Sequence, residues 1–210
     1  MAVIVMLYGN SGSGKTTSLR NFQAGEMSVF NVSKKPFPFK CNFGHLETDD
    51  YKTIKDALAK AQSPSIAIDD ATYLIVNEFM RTAKVASFQK FTDMALNFWE
   101  LVRFCNEQLP PDKIVYFIGH SEMSESGNEK FKTIGRLLDE KVCLEGLFTI
   151  VLKTVVQDGK YYFSTQTNGQ DTVKSPMGMF QNKYIPNDLK IVDETIRNFY
   201  GITKPAKPSK

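Results

Sequence analysis

Apolar residues occur along the chain in short uninterrupted runs, and these runs alternate with segments of helical periodicity. Such runs are typical of strands that are buried on both faces. They cover residues 2–8, 27–33, 65–70 and 113–119. Between them, helices are predicted over residues 15–22, 51–62, 71–109 and 134–145. The alternation predicts an α/β fold with a mainly parallel sheet flanked by helices.

The C-terminal third shows a different pattern. Apolar runs at residues 147–156 and 160–167 flank the turn sequence Gln-Asp-Gly at 157–159, and this combination predicts a β-hairpin. A last helix is predicted over residues 187–200, because it begins at an Asn-Asp pair and is followed by Gly201. The chain is therefore expected to end its fold with a hairpin and a terminal helix.

Two segments between the predicted elements are rich in polar and turn-forming residues. Residues 34–50 hold two prolines and a glycine, and we expect a long loop with room for a short hairpin. Residues 121–133 are polar with Gly-Asn near the centre, which predicts a mobile loop. Lysine and proline dominate residues 204–210. We expect one domain over residues 1–203 followed by a disordered basic tail.

Composition and charge narrow the class of protein only mildly. The 210 residues carry 26 Lys and Arg against 23 Asp and Glu, a net charge of +3, which does not by itself indicate nucleic-acid binding. The cysteines Cys41, Cys105 and Cys143 are odd in number and far apart, which disfavours a disulfide framework or a zinc site. No apolar stretch is long enough to span a membrane, and the N-terminus lacks a secretion-signal pattern. These features predict a cytoplasmic protein with no membrane partner.

A phosphate-binding motif follows the first apolar run directly. Residues 9–16 read Gly-Asn-Ser-Gly-Ser-Gly-Lys-Thr, which matches the Walker A pattern G-x4-G-K-S/T in full. A predicted strand precedes the motif and a predicted helix follows it, so a chance match in a surface turn is disfavoured. The candidate nucleotide-binding residues are Gly9, Asn10, Ser11, Gly12, Ser13, Gly14, Lys15, Thr16 and Thr17.

The residue types in this motif define the ligand. Glycines allow successive backbone N–H groups to point inward around a phosphate. Lys15 is then placed to reach the β- and γ-phosphates, and the Thr16 hydroxyl can ligate Mg²⁺. The sequence therefore predicts a site for ATP and Mg²⁺.

Two adjacent acids follow a later predicted strand. Asp69 and Asp70 end the run Ile-Ala-Ile-Asp-Asp at residues 66–70. At the carboxyl end of a parallel strand, Asp69 is the candidate Walker B acid that holds Mg²⁺ together with Thr16. Asp70 is a candidate catalytic acid that orients the attacking water. Its alternative role, with equal support from the sequence, is to cap the helix that begins near Ala71.

His120 and the segment after it are further candidates. His120 ends the strand predicted at residues 113–119, so it is expected near the γ-phosphate; a solvated or structural histidine is the alternative. Lys130, Phe131 and Lys132 form a basic pair around an aromatic ring, which can bind single-stranded DNA by phosphate contact and base stacking. An exposed loop with one anchoring Phe is the alternative.

The chain resembles phage-encoded AAA/RecA-like P-loop ATPases of recombination and replication gene clusters. Besides the Walker motifs, the resemblance rests on FIGH (117–120), KTIGRLLDEK (132–141), LEGLFTI (144–150), KSPMGMF (174–180) and IPNDL (185–189). It implies a RecA-like core, Mg-ATP binding, a homo-oligomer in the host cytoplasm, and partners that include single-stranded DNA and phage replication or recombination proteins. It also implies that His120 is the sensor at the end of the fourth core strand and that residues 121–135 face DNA.

The chain departs from that family at one catalytic position. RecA-like enzymes usually carry a glutamate at the end of the second strand, where this chain reads Asn-Val-Ser-Lys-Lys at residues 31–35. Hydrolysis would then depend on Asp70 or on Glu47, or be slow. By motif position, Arg136 and Lys174 are candidates for a positive side chain that reaches the γ-phosphate of a neighbouring subunit.

Three functions compete on this evidence. The first is an ATPase that couples the nucleotide state to the handling of single-stranded DNA. The second is a nucleotide-controlled protein-binding module, such as a loader or scaffold, with slow hydrolysis. The third is a small-molecule kinase, which the few scattered arginines disfavour.

Overall fold

Buried apolar strands form one sheet that is parallel over most of its width. The structure, a computed structural model, describes residues 1–135 and 137–203. The strands are β1 (Val3–Gly9), β2 (Met27–Asn31), β3 (Gly44–Leu46), β4 (Ser65–Asp69), β5 (Ile114–Met123), β6 (Glu129–Phe131), β7 (Ile150–Gln157), β8 (Lys160–Ser164) and β9 (Tyr184–Pro186). Their order is β3-β2-β4-β5-β1-β7-β8-β9, with β6 paired to β5. Pairs from β3 to β7 are parallel, whereas β7–β8 and β8–β9 are antiparallel. The predicted α/β class is confirmed.

Helices cover both faces of this sheet. They are α1 (Tyr51–Leu58), α2 (Thr72–Arg81), α3 (Gln89–Gln108) and α4 (Leu189–Tyr200). Successive residues of β1 point to opposite faces, so that Met6 and Tyr8 lie in the core under α1, α2 and α3, and Val5 and Leu7 in the core under α4. This two-sided burial explains the uninterrupted apolar runs in the sequence. Among the described residues, no helix is both long and apolar enough to cross a membrane.

Two predicted helices differ from the structure in extent. The helix predicted over 71–109 is divided into α2 and α3, because residues 83–88 are exposed and no packing holds them in a helix. The helix predicted over 15–22 is a single 3-10 turn, Thr16–Leu19. There the Ser18 hydroxyl donates to the Lys15 carbonyl, a local bond that competes with helix formation.

The C-terminal elements agree with the sequence pattern. Strands β7 and β8 form the predicted hairpin, with Gln157 paired to Lys160. Helix α4 is capped by Asp188, whose carboxylate accepts from the Lys190 N–H, and it ends at Gly201 with φ of +65°. A left-handed residue at this position favours glycine.

The segment 34–50 contains a strand rather than a hairpin. Strand β3 pairs parallel with β2 and forms one edge of the sheet. Asp49 then fixes the segment to α2, because its carboxylate accepts from Asn77 at 2.8 Å and lies 2.9 Å from Arg81 and 3.2 Å from Lys34. Partial burial would raise the pKa of Asp49, but the hydrogen bonds from Asn77 and Lys34 outweigh it and lower the pKa.

The prediction of a mobile loop at residues 121–133 is wrong. Strand β5 continues to Met123 and pairs antiparallel with β6, so the segment is a β-hairpin. The helix predicted over 134–145 is likewise replaced by a short π-helix, Leu137–Lys141, and a 3-10 turn, Leu144–Leu147. The tail at 204–210 lies outside the described residues.

A buried ionic cluster ties α4 to the amino-terminal end of β4. The Arg197 guanidinium donates to Asp193 Oδ1 at 2.7 Å and to the Pro64 carbonyl at 2.9 Å. The other carboxylate oxygen of Asp193 accepts from Ser65 and from the Tyr116 hydroxyl. This cluster lies at the sheet end opposite the loop that follows β1 and has a structural role.

Candidate functional site

The loop of residues 9–16, the candidate phosphate loop, follows β1, and its glycines are required by its backbone conformation and close contacts. Gly12 and Gly14 have φ of +76° and +88°, in the left-handed region that favours glycine. Gly9 is required by a close approach, because a Cβ added there would overlap the Thr154 hydroxyl. The Ser13 hydroxyl lies 2.6 Å from both the Asn10 carbonyl and Thr154 Oγ1, which attaches the loop to β7.

Lys15 is buried at the mouth of this loop. Its side chain is only 6% exposed, and Nζ donates to the carbonyls of Gly9 at 2.9 Å and Asn10 at 2.8 Å. Burial lowers the pKa of Lys15, and the nearby Asp70 and Asp69 partly oppose that shift. These two hydrogen bonds hold the ammonium group in place at the loop, and such preorganisation favours the binding of an anion.

Thr16 and Asp69 come together as the motif predicts. The Thr16 hydroxyl donates to Asp69 Oδ1 at 3.1 Å, although β5 lies between β1 and β4 in the sheet. Burial and the adjacent Asp70 raise the pKa of Asp69 to about 7. A nearby cation would favour the charged form of this carboxyl group.

These two oxygen groups fit a magnesium ion. Within the described part of the chain, no three His, Cys, Asp or Glu side chains cluster as a metal-binding group. Mg²⁺ beside a nucleotide usually takes one or two protein ligands and completes its shell with phosphate oxygens and water. A hydroxyl and a buried carboxylate next to the loop meet that requirement.

Asp70 faces the same site in a left-handed backbone conformation. Its φ is +57°, which is uncommon for a residue other than glycine. Burial would raise the pKa of Asp70, but hydrogen bonds from His120 and Ser33 outweigh it, so the pKa is lowered. The capping role is wrong, because Ala71 occupies the cap position of α2 and no side chain caps that helix.

His120 lies beside the phosphate loop, paired in register with Gly9 of β1. Its Nε2 is 3.4 Å from Asp70 Oδ1, and its ring meets the Tyr73 ring edge to face at 5.8 Å. The neighbouring Ser121 hydroxyl donates to Asn10 Oδ1 at 3.2 Å, which links the end of β5 to the loop. The structure therefore brings His120, Asp70 and the loop together.

A cleft of about 680 Å³ joins these residues. The predicted residues on its wall are Ser11, Gly12, Gly14, Lys15, Thr16, Thr17, Asp70 and His120. Sequence reasoning missed the others, which are Arg20, Lys35, Pro38, Lys160, Tyr161, Pro186 and Asn187. Lys35 follows the parallel strand β2, so strand direction alone could have indicated it. No sequence pattern indicates that residues of β8 and β9 reach the cleft, because they are brought to the loop by a hairpin and not by the direction of a parallel strand.

Asn187 is the most enclosed of the missed residues. Its backbone carbonyl accepts from Arg20 at 2.7 Å, and a Cβ added at Gly14 would lie 3.3 Å from its amide nitrogen. Among the described residues, that buried amide nitrogen has no hydrogen-bond partner. An unsatisfied donor at the wall of a cleft is available to a polar ligand.

The remaining predicted residues lie away from the cleft or outside the described chain. Glu47 is exposed just after the edge strand β3. Lys174 is exposed, and its backbone pairs with Val151. Neither residue lines the cleft. Arg136 lies outside the described residues.

The predicted stacking role of Phe131 is wrong. The Phe131 ring is 1% exposed and packs against Phe98, with ring centroids 6.2 Å apart, so it is not available to a nucleic-acid base. Lys130 lies 3.6 Å from Glu122, and Lys132 is exposed. The apolar residue of this triplet belongs to the core.

No protein-family model matches the chain, and no curated protein sequence matches it.

Proposed function

We propose that the protein binds Mg-ATP in this cleft and hydrolyses it on a RecA-like core. The observation that carries the proposal is the hydrogen bond between Thr16 and Asp69 beside a preorganised Lys15. A chance Gly-rich turn has no reason to bring a buried carboxylate from another strand to its last hydroxyl. When β3 is set aside as a short edge strand, β5 is the fourth strand and His120 is its last residue paired with β1, which supports the proposed core.

The residues of the loop divide the binding of the triphosphate among them. Backbone N–H groups of the loop take phosphate oxygens, and Lys15 supplies positive charge to the β- and γ-phosphates. Thr16 and Asp69 would hold the Mg²⁺, which neutralises phosphate charge when bound. The Asn187 amide at the wall is a further donor for the nucleotide.

Asp70 is the acid that activates water in this proposal. Its carboxylate lies on the cleft wall and, being ionised at neutral pH, can accept a hydrogen bond from the attacking water. His120 and Ser33 orient its carboxylate. Glu47 takes no part, because it lies outside the cleft.

We propose that nucleotide turnover is coupled to single-stranded DNA in a homo-oligomer. The family resemblance and the exposed Lys132 support the DNA contact. The exposed Lys174 remains a candidate for reaching a neighbouring subunit. The hairpin β5–β6 is a direct route between such a contact and the nucleotide, because the Lys132 N–H donates to the His120 carbonyl at 2.9 Å.

One observation favours a nucleotide-controlled protein-binding module as the second candidate. The end of β2 carries Asn31 and Lys35 in place of a carboxylate, so the site has fewer groups that could activate water. A kinase is not favoured. Arg20, the arginine on the described cleft wall, already donates to the carbonyls of Thr17 and Asn187.

Turnover measurements separate these functions. ADP release by the wild type and by Lys15→Ala would be measured alone, with single-stranded DNA, and with a panel of nucleoside monophosphates. Turnover that rises with DNA supports the ATPase, and binding without turnover supports the module. ADP release tied to a phosphorylated monophosphate would identify a kinase and overturn the proposal.

A further inference from the structure

The turn after β2 fixes the backbone of two adjacent lysines. Lys34 has φ of +56°, a left-handed conformation that reverses the chain direction. The Asn31 amide donates to the Lys35 carbonyl at 2.8 Å and closes the turn. The turn therefore places Lys34 and Lys35 by backbone geometry.

The two lysine side chains lie in different surroundings. Lys34 Nζ is 3.2 Å from Asp49 Oδ1 and joins the cluster at α2. Lys35 instead lines the cleft, with Nζ 5.1 Å from the centre of the Tyr73 ring. Among the described residues, no carboxylate lies within ion-pair distance of Lys35. Lys35 is thus a cation at the cleft wall that lies over an aromatic face.

The contacts of Lys35 place it at the end of the cleft that holds Asp70. The Tyr73 ring beneath Lys35 lies edge to face with the His120 ring, and His120 Nε2 is 3.4 Å from Asp70 Oδ1. Lys15 lies within the loop itself, where the proposed function assigns it to the β- and γ-phosphates, and Arg20 donates to the carbonyls of Thr17 and Asn187. Lys160 lies on the hairpin β7–β8, which comes from the opposite edge of the sheet.

We infer that Lys35 binds the terminal phosphate of a nucleoside triphosphate and makes the site prefer a triphosphate to a diphosphate. The inference rests on the proposed function, since it assigns a role within the same cleft. A phosphate oxygen attracts an ammonium group more strongly than an aromatic face does, so Lys35 exchanges Tyr73 for the γ-phosphate when a triphosphate binds. A diphosphate does not reach Lys35, which then stays on Tyr73. The chain supplies this charge within the same subunit, from the turn that follows β2.

The test compares Lys35→Met with Lys34→Met in the full chain. Both variants remove one exposed lysine from the same turn. Isothermal titration calorimetry would measure the dissociation constants of a non-hydrolysable ATP analogue and of ADP, each with Mg²⁺. Loss of one charge-assisted hydrogen bond corresponds to about tenfold or more in affinity. We expect Lys35→Met to bind the ATP analogue about tenfold more weakly or worse and to bind ADP as the wild type does. Lys34→Met should bind both ligands with wild-type affinity. Lys35→Arg should still bind the ATP analogue in preference to ADP.

Three outcomes would overturn the inference. In the first, Lys35→Met keeps the wild-type preference for the triphosphate. In the second, its affinity falls equally for the ATP analogue and for ADP. In the third, Lys34→Met shows the same loss of affinity as Lys35→Met. Circular dichroism melts check that each variant is folded, and Lys35→Gln repeats the test if Lys35→Met is not. Failure of the proposed function is distinguishable, because then the wild type binds neither ligand or Lys15→Ala binds both normally.

Discussion

Gly119 permits close packing next to His120 in β5, because it has no side chain. A Cβ added at this position would lie 2.5 Å from Thr72 Oγ1 and 2.6 Å from Phe131 Cζ, closer than carbon and oxygen atoms tolerate. Thr72 and Phe131 are 2% and 1% exposed, so neither can swing into solvent. Gly119→Ala therefore forces buried groups apart beside His120.

The expected cost follows from these contacts. Overpacking of a buried site lowers the free energy of unfolding by about 1–3 kcal/mol. For a chain of this size, each kcal/mol lowers the melting temperature by roughly 2–4 °C, so we expect a fall of about 2–12 °C. The Thr72 hydroxyl also accepts the His120 N–H at 2.8 Å. Displacing Thr72 shifts His120, and ATP turnover should fall as well.

Calorimetric melts of matched variants test this estimate. Gly44→Ala is the control, because a Cβ there meets no atom within 4 Å; its unfolding free energy should change by less than about 1 kcal/mol. Adding Phe131→Leu to Gly119→Ala should reveal a coupling energy of about 0.5–3 kcal/mol, since the smaller side chain relieves part of the overlap. A Gly119→Ala protein as stable as the wild type would refute the reasoning.

Three further predictions concern separate parts of the molecule. Arg197→Met leaves the Asp193 carboxylate buried without its counter-charge, so the unfolding free energy in urea titrations should fall by about 3–5 kcal/mol; an unchanged midpoint would contradict this. The pKa of Asp49 is lower in the folded protein than its unfolded value of about 3.9, so the ionised carboxylate stabilises the fold above about pH 3.9. This stability is lost as the pH falls through the folded pKa. Melts from neutral pH to about pH 3 should therefore show the wild type losing its advantage over Asp49→Asn, and a constant difference would argue against it. Asp70→Asn should lower ATP turnover about a hundredfold or more with binding retained, whereas Glu47→Gln should match the wild type; the reverse result would identify Glu47 as the base.

The sequence predicted the parts of the fold that depend on local pattern. Uninterrupted apolar runs marked the central strands, and the Gln-Asp-Gly turn and Gly201 marked the hairpin and the end of α4. The break between α2 and α3 was not predicted. Helical periodicity shows that apolar residues share one face of a helix, but it does not show whether another element packs against that face. Phe88, an apolar residue within the helix predicted over 71–109, is 93% exposed.

Some residues of the candidate site could likewise be predicted from local sequence pattern, and others could not. The Walker A residues and Asp69 were predictable, since each lies at a fixed distance from a strand end. Lys130, Phe131 and Lys132 were misleading, because composition does not show that β6 turns Phe131 into the core. Tyr161 and Asn187 reach the loop through antiparallel pairing with distant strands, and no spacing in the sequence encodes that contact.

A comparison of two buried lysines tests the central claim most directly. Lys15 and Lys113 are 6% and 7% exposed, and each donates to two backbone carbonyls, Lys15 in the phosphate loop and Lys113 at the other end of the sheet. Calorimetric titration with ATP and Mg²⁺ would be carried out on the folded Lys15→Ala and Lys113→Ala proteins. The account predicts that Lys15→Ala loses ATP binding and that Lys113→Ala keeps the wild-type affinity. Equal binding by both variants, or equal loss, would contradict it.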